Sequence, residues 1–267
     1  MRVVLVDGVA RPDGRLELDV DDPGLMLGLG VFETLRTYGG RPFRLGAHLD
    51  RLEASARALG APCPRSSIED EIGRALEAWS PGVEANVRVT LLQSGRRVVR
   101  VCALSPVSGP ARCALLPWEP APSLPGWIKH TSRAASALAI RPPMTEALRV
   151  DRQGYLLEGT RSNIIGVQRG VLRTPPLDGR ILAGVTRLAL LEVAAGLGLP
   201  IDEAPVPAAT PFDELYVCST LRELQAVVEL DGRPAPGAGP VGARLIDGLA
   251  ALIAAELGAK DLSPPGA

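Results

Sequence analysis

Gly126-Trp127-Ile128-Lys129-His130-Thr131-Ser132-Arg133 holds one of only two lysines in the 267-residue chain, against 29 Lys and Arg residues together. The other, Lys260, stands in a tail that ends Ser263-Pro264-Pro265-Gly266-Ala267. The composition otherwise prefers Arg, so a lysine kept in an apolar, Ala-rich context points to chemistry that guanidinium does not perform. A primary amine can be desolvated, lose its proton and add to an aldehyde as an imine, whereas Arg stays protonated. A solvated surface lysine is the plain alternative, and the flanking sequence has to decide between the two.

Upstream of this segment, Leu116-Pro117-Trp118-Glu119-Pro120-Ala121-Pro122-Ser123-Leu124-Pro125 is rich in proline, which favours extended backbone and lacks a ladder donor. It marks an expected linker at 116–125 between a small N-terminal α/β domain at 1–115 and a larger C-terminal α/β domain at 126–267. The fold class is therefore α/β (α+β) in two domains. In the first half, Val3-Val4-Leu5-Val6 and Asp7-Gly8 predict a hairpin running to about Leu18. Val31 to Tyr38 reads as a strand whose alternation puts Phe32, Thr34, Arg36 and Tyr38 on one face. Leu45, Leu49, Leu52, Ala56 and Leu59 follow helical spacing, with His48, Arg51 and Ser55 on another face. Ser66 or Ser67 is the expected cap of a second helix buried through Ile68, Ile72, Leu76 and Trp79, and strands follow near Asn86–Gln93 and Val98–Leu104.

Downstream of Lys129 the pattern gives a helix through Ala139 and strands near Leu148–Asp151, Tyr155–Glu158 and Asn163–Gln168, with a hairpin at Arg169-Gly170. A helix starts after Gly184-Val185-Thr186, with an expected stripe of Leu188, Leu191 and Ala195, and stops at Gly198 and Pro200. Strands near Glu214–Cys218 and Leu224–Glu229 precede a last helix from about Val241 to Leu257.

Composition narrows the function classes. Net charge of −1 provides no basic field for nucleic acid or an anionic membrane. No apolar run approaches the roughly 20 residues of a spanning helix, and the N-terminus opens into a strand pattern without a signal region, so a cytoplasmic location is expected. Four scattered cysteines and two histidines predict neither a disulfide framework nor a metal site. Small-molecule substrates and protein partners remain.

Gly184-Val185-Thr186 places backbone N–H groups and a hydroxyl at the positive end of a helix dipole, which suits a phosphate. Ser219-Thr220 after a strand offers a second hydroxyl pair, and Arg51 a countercharge. Taken singly, each reads as readily as a cap, a turn or a solvated arginine. Glu158, between a strand and a Gly-Thr turn, would repel a phosphate, so it needs a cationic target elsewhere in a ligand. Pyridoxal 5'-phosphate combines these needs: an aldehyde for a lysine, a phosphate for N–H groups, hydroxyls and Arg, and a ring nitrogen for a carboxylate.

At this point the chain resembles the class IV (fold type IV) pyridoxal phosphate enzymes, which include branched-chain aminotransferases, D-amino acid aminotransferases and aminodeoxychorismate lyases. The resemblance runs through Gly30-Val31-Phe32-Glu33-Thr34-Leu35-Arg36, His48-Leu49-Asp50-Arg51-Leu52, Lys129 and Gly154-Tyr155-Leu156-Leu157-Glu158-Gly159-Thr160-Arg161-Ser162-Asn163. It continues in Thr174-Pro175-Pro176-Leu177, Gly184-Val185-Thr186-Arg187 and Ser219-Thr220. It implies that Lys129 is the catalytic residue and forms the internal aldimine, that Glu158 holds the pyridine nitrogen, and that Tyr155 lies near the ring's phenolic oxygen. Arg51, Val185, Thr186, Ser219 and Thr220 would hold the phosphate, and the protein would be a homodimer.

The motifs divide on the reaction. Lys129-His130-x-x-Arg133 looks more like some lyases, whereas Tyr38 and Gly154-Tyr155-x-x-Glu158 look more like aminotransferases acting on an amino acid and a 2-oxo acid. The strand at Val89–Gln93 lacks an Arg-Gly often found before the substrate-carboxylate loop, which leaves Arg36, Arg88, Arg96 and Arg97 as candidates for that carboxylate. Amino-group transfer is the leading expectation. Formation of 4-aminobenzoate and pyruvate is the alternative, and a catalytically weak pyridoxal phosphate-binding protein is the alternative of another class.

Overall fold

The computed structural model describes residues 2–80, 82–107 and 109–258, so Lys260 and the C-terminal tail lie outside the described residues. The chain packs as two units. Met1–Pro106, Ile128–Arg133 and the end of the last helix from Glu256 make the first; Val107–Trp127 and Ala134–Ala255 make the second. The chain thus leaves the first unit before the Pro-rich segment and rejoins it for the residues around Lys129.

In the first unit, β1 (Arg2–Val6) and β2 (Val9–Ala10) form a hairpin closed by Asp7 and Gly8, both at positive φ. It ends at Ala10 rather than near Leu18, because Pro12 has no N–H for a ladder and the Gly14 N–H closes a new turn on the Arg11 carbonyl. After the single turn α1 (Pro23–Met26) come β3 (Gly30–Tyr38), β4 (Arg41–Pro42), α2 (Leu45–Ala58), α3 (Arg65–Glu77), β5 (Ala85–Leu92) and β6 (Arg97–Ala103). The sheet is antiparallel throughout, in the order β2-β1-β6-β5-β3-β4. Val31 and Leu35 of β3, Val87 and Val89 of β5, and Val99 and Val101 of β6 are fully buried, as are Leu52 of α2 and Ile68 of α3. Burying each such side chain contributes about 1.5–3 kcal/mol. The expected serine cap of α3 is absent. That helix starts at Arg65 after Pro64 with no side-chain cap bond, and Arg65 pairs with Asp50 and Glu69 instead.

The second unit opens with β7 (Ala111–Pro117), so Leu116 and Pro117 of the expected linker close a strand. It continues through the short α4 (Ala134–Leu138), β8 (Glu146–Val150), β9 (Tyr155–Gly159), β10 (Asn163–Gln168) and β11 (Val171–Thr174). Then follow α5 (Val185–Gly196), β12 (Ile201–Glu203), β13 (Val206–Pro207), β14 (Glu214–Ser219), β15 (Glu223–Leu230), β16 (Arg233–Pro234) and α6 (Pro240–Leu257). The sheet order is β12-β11-β10-β14-β15-β7-β8-β9-β13, with β16 added to β15. It is mixed, because β7 runs parallel to both β15 and β8. Ala111, Cys113, Leu148, Leu156, Ile164, Val217 and Val227 form its core.

Helix α5 buries Thr186, Arg187, Ala189, Leu190 and Ala194, while Leu188 and Ala195 of the expected stripe are exposed. The helix is apolar nearly all round, so spacing alone does not choose its buried face. Antiparallel register puts Asn163 at the start of β10 opposite Cys218 near the end of β14. The Asn163 side chain donates to the Leu182 carbonyl at 2.9 Å. A Cβ on Gly184 would meet the Asn163 Oδ1 at 1.9 Å, so only glycine allows α5 to begin this close to β10. The start of β10, the end of β14 and the N-terminus of α5 are thereby brought together. Among the described residues no helix is long and apolar enough to cross a membrane.

Candidate active site

In the first unit, Lys129 is held by main-chain bonds to β3. Its carbonyl accepts the Phe32 N–H at 3.0 Å, the Thr131 N–H reaches the Gly30 carbonyl at 2.8 Å, and the Lys129 N–H donates to the Ser55 hydroxyl at 3.1 Å. The half-buried side chain places Nζ 5.1 Å from the centre of the Phe32 ring.

The same ring carries the Arg88 guanidinium at 3.8 Å. Both groups therefore lie against one aromatic ring, whose quadrupole attracts a cation. Burial pushes Arg88 down to about 10, Arg100 and Arg133 push it the same way, and Glu33 opposes them. No carboxylate among the described residues forms an ion pair with Arg88. The other three candidates differ. Arg36 bonds Glu84 at 2.8 Å and covers Tyr38, Arg96 bonds Asp7 at 2.6 Å, and Arg97 takes Glu71 in a two-pronged contact.

Arg51 makes a bidentate pair with Glu33, Nε to Oε1 at 2.7 Å and an Nη to Oε2 at 2.8 Å. His48, itself buried, adds a 2.8 Å contact from Nδ1 to Oε2. Burial would raise the fully buried Glu33 carboxyl, but the charges of Arg51 and Lys129 and the His48 and Arg51 hydrogen bonds hold it well below the usual carboxylate range. Burial keeps His48 below its ordinary value against the pull of Glu33, which favours the neutral imidazole, and a proton on Nδ1 is the tautomer that suits the Glu33 carboxylate. Sequence reasoning missed Glu33 as a functional residue. The available signal was a carboxylate alternating with Val31 and Leu35 on an apolar strand face, where an unpaired charge is not tolerated.

In the second unit, Glu158 lies one residue before the end of β9 in a buried position, with one oxygen taking Arg149 Nη1 at 2.6 Å and the other the Leu182 N–H at 2.9 Å. Arg149 in turn lies 4.1 Å over the Trp118 ring and reaches the Ser136 hydroxyl. Tyr155 is half-buried at the start of the same strand. Val185 and Thr186 are buried in the first turn of α5, which has no side-chain cap bond. Ser219 and Thr220 are half-buried where β14 turns. Arg187 is fully buried and bonds Thr174, the Pro175 carbonyl and Glu203, which fixes the start of α5.

Each unit by itself offers groups that suit part of pyridoxal phosphate. An uncapped helix start with a buried threonine suits a phosphate, and the first unit offers a lysine amine. Glu158 is a carboxylate already oriented by two donors. Among the described residues no His, Cys, Asp or Glu cluster is arranged to hold a metal ion.

The family model for amino-transferase class IV matches residues 30–230. The bifunctional aminodeoxychorismate lyase / D-amino acid transaminase of Mycobacterium tuberculosis is 30% identical over 272 residues, covering 88% of this chain and 93% of that protein. The branched-chain aminotransferase of Thermoproteus uzoniensis, solved with norvaline, superposes with a TM-score of 0.85 at 25% identity and covers 97% of this chain and 96% of its own. A hypothetical aminotransferase from Mycobacterium tuberculosis in its PLP-bound form gives a TM-score of 0.85 at 26% identity, over 95% of this chain and 99% of that one.

Proposed function

The chain belongs to the amino-transferase class IV family, and from that membership we propose that it moves an amino group between an amino acid and a 2-oxo acid, with pyridoxal 5'-phosphate as cofactor. The observation that carries the reading is the pair of cations on Phe32: the Lys129 amine and an Arg88 without an ion-paired carboxylate. An amine that handles the substrate's amino carbon needs a cation nearby for the substrate carboxylate, and these two groups supply both.

When bound, the cofactor supplies an electrophilic aldehyde and a ring that accepts the electron pair left by proton removal. Lys129 Nζ would be the amine that holds that aldehyde, and the group placed to take up the proton from the substrate's amino carbon. Glu158, held by Arg149 and the Leu182 N–H, keeps a proton on the ring nitrogen. Tyr155 would be the residue that serves the ring's phenolic oxygen. The N–H of Val185 and the hydroxyls of Thr186, Ser219 and Thr220 bind the phosphate, with Arg51 as countercharge oriented by Glu33. Arg88 binds the substrate carboxylate, a role for which Arg36, Arg96 and Arg97 are less suited because each is already paired.

The assembly proposed is a homodimer, and the location cytoplasmic, in keeping with four cysteines of which none is in a disulfide. Formation of 4-aminobenzoate and pyruvate is the second reading. It is favoured by the Lys129-His130-x-x-Arg133 run and by the bifunctional relative. The test is a half-reaction. An amino acid supplied alone should change the bound-cofactor spectrum once and hold it there, and a 2-oxo acid should reverse the change. Many turnovers of aminodeoxychorismate without a 2-oxo acid, with no half-reaction from any D- or L-amino acid, would move the protein to the lyases.

A further inference from the structure

Glu146, at the start of β8, is fully buried and lies outside every role assigned above. Its carboxylate accepts the Thr160 hydroxyl through Oε1, the Ser162 hydroxyl at 3.1 Å through Oε2, and Arg222 Nη1 at 2.9 Å through Oε2. The Ala147 N–H completes the set on Oε1 at 3.1 Å. Those donors fill the acceptor capacity of an ionised carboxylate. The three side-chain donors come from two separate turns. Thr160 and Ser162 belong to the turn that joins Glu158 to Asn163, closed by the Gly159 N–H on the Ser162 carbonyl at 2.7 Å. Arg222 closes the turn that begins at Ser219, its N–H bonding the Ser219 carbonyl at 3.1 Å. The neighbouring Thr145 carbonyl accepts from Arg161 at 2.8 Å and from Arg222 at 3.4 Å, so the same two residues tie both turns.

The fit around Glu146 leaves little slack. A Cβ at Gly159 would lie 2.2 Å from the Ser162 hydroxyl and 3.2 Å from the Glu146 carboxyl carbon. A side chain there would push the turn off its anchor.

We infer that Glu146 is a positioning residue for phosphate binding: through Arg222 it fixes the turn that presents Ser219 and Thr220, and through Thr160 and Ser162 it locks that turn to the one leaving Glu158. The inference rests on the reading of Ser219 and Thr220 as phosphate-holding residues. Glu146 touches no ligand in this account. Its effect is to hold the two turns in register, so that the hydroxyls meet the phosphate without first losing conformational freedom.

The distinguishing measurement compares two aldehydes that differ only in the phosphate. Pyridoxal 5'-phosphate and pyridoxal are titrated into apoprotein, each followed by the absorbance of its lysine adduct, and melting is recorded by circular dichroism. For Glu146→Gln the expected result is affinity for pyridoxal 5'-phosphate weakened about tenfold while that for pyridoxal stays within about twofold, the selective loss of one charge-assisted contact to phosphate. Inorganic phosphate should correspondingly protect the apoprotein of the variant against heat less than it protects the parent. Equal weakening of both aldehydes, or no weakening of either, overturns the inference. If Glu146→Gln does not fold, Arg222→Gln, which removes the same link from the outer side, decides by the same comparison. A parent protein that forms no adduct with either aldehyde removes the cofactor reading itself, an outcome separate from a parent that binds both and variants that show no phosphate-selective loss.

Discussion

Replacing Glu33 by Gln tests whether a buried carboxylate organises the Arg51 end of the first unit. Glu33 is fully buried, bidentate to Arg51 and bonded by His48. Removing one member of a buried ion pair costs about 3–5 kcal/mol because the remaining charge keeps its desolvation penalty. Gln retains one acceptor for Arg51, so the lower end applies, and for a chain of this size a loss of about 3 kcal/mol corresponds to a midpoint lowered by about 6–12 °C. The pH dependence follows from the direction of the shift. The folded carboxyl sits below its ordinary value of 4.5, so its stabilisation is fully present above that value and is lost as pH falls toward the folded one. Thermal melts at neutral pH and below pH 4.5 should therefore show a large gap between parent and variant at neutral pH that narrows only once the pH is below 4.5. A variant melting within about 2 °C of the parent at neutral pH, or a gap that does not narrow, would refute the view that Glu33 is an ionised anchor.

Lys129→Arg should abolish the lysine adduct and nearly all turnover while the protein still folds, and reduction with borohydride followed by peptide mapping of the parent should mark Lys129; an adduct on Lys260 would sink the assignment. Glu158→Gln should retain much of the cofactor yet slow proton transfer by about a hundredfold, read by single-turnover spectroscopy, since a neutral amide stabilises a protonated ring nitrogen poorly. Arg88→Gln should raise the amino acid KM by about tenfold or more, the loss of a bidentate carboxylate contact, with cofactor affinity unchanged. A KM equal to the parent's would return the carboxylate role to Arg36, Arg96 or Arg97.

Local signals carried much of this architecture. Period-two alternation predicted β3, helical spacing predicted α2 and the last helix, and Arg169-Gly170, both at positive φ, makes the expected hairpin between β10 and β11. Long-range features were not legible. The parallel pairing of β7 with β15 and β8 depends on contacts between distant segments, and nothing near Pro117 announces it. The same limit applied to the candidate site. Residues proposed to meet a ligand, such as Lys129 and Glu158, stand in motifs where their chemistry is conspicuous. Charged residues that hold other side chains in place, namely Glu33, Glu146, Arg149 and Arg222, look like ordinary charges until their buried partners are seen.

The lysine's attachment to β3 has a consequence for how the amine moves. With the Phe32 N–H on its carbonyl, its own N–H on Ser55 and Thr131 bonded to Gly30, the Cα of Lys129 is a fixed pivot. All of the amine's travel then resides in the torsions of its four-carbon stem. Such rotations are picosecond-to-nanosecond events in accessible side chains, far faster than the rearrangement of a loop. In the role proposed for Lys129, attachment of the amine would need no rearrangement of the sheet, and the conformational freedom surrendered would be that of a single flexible tether.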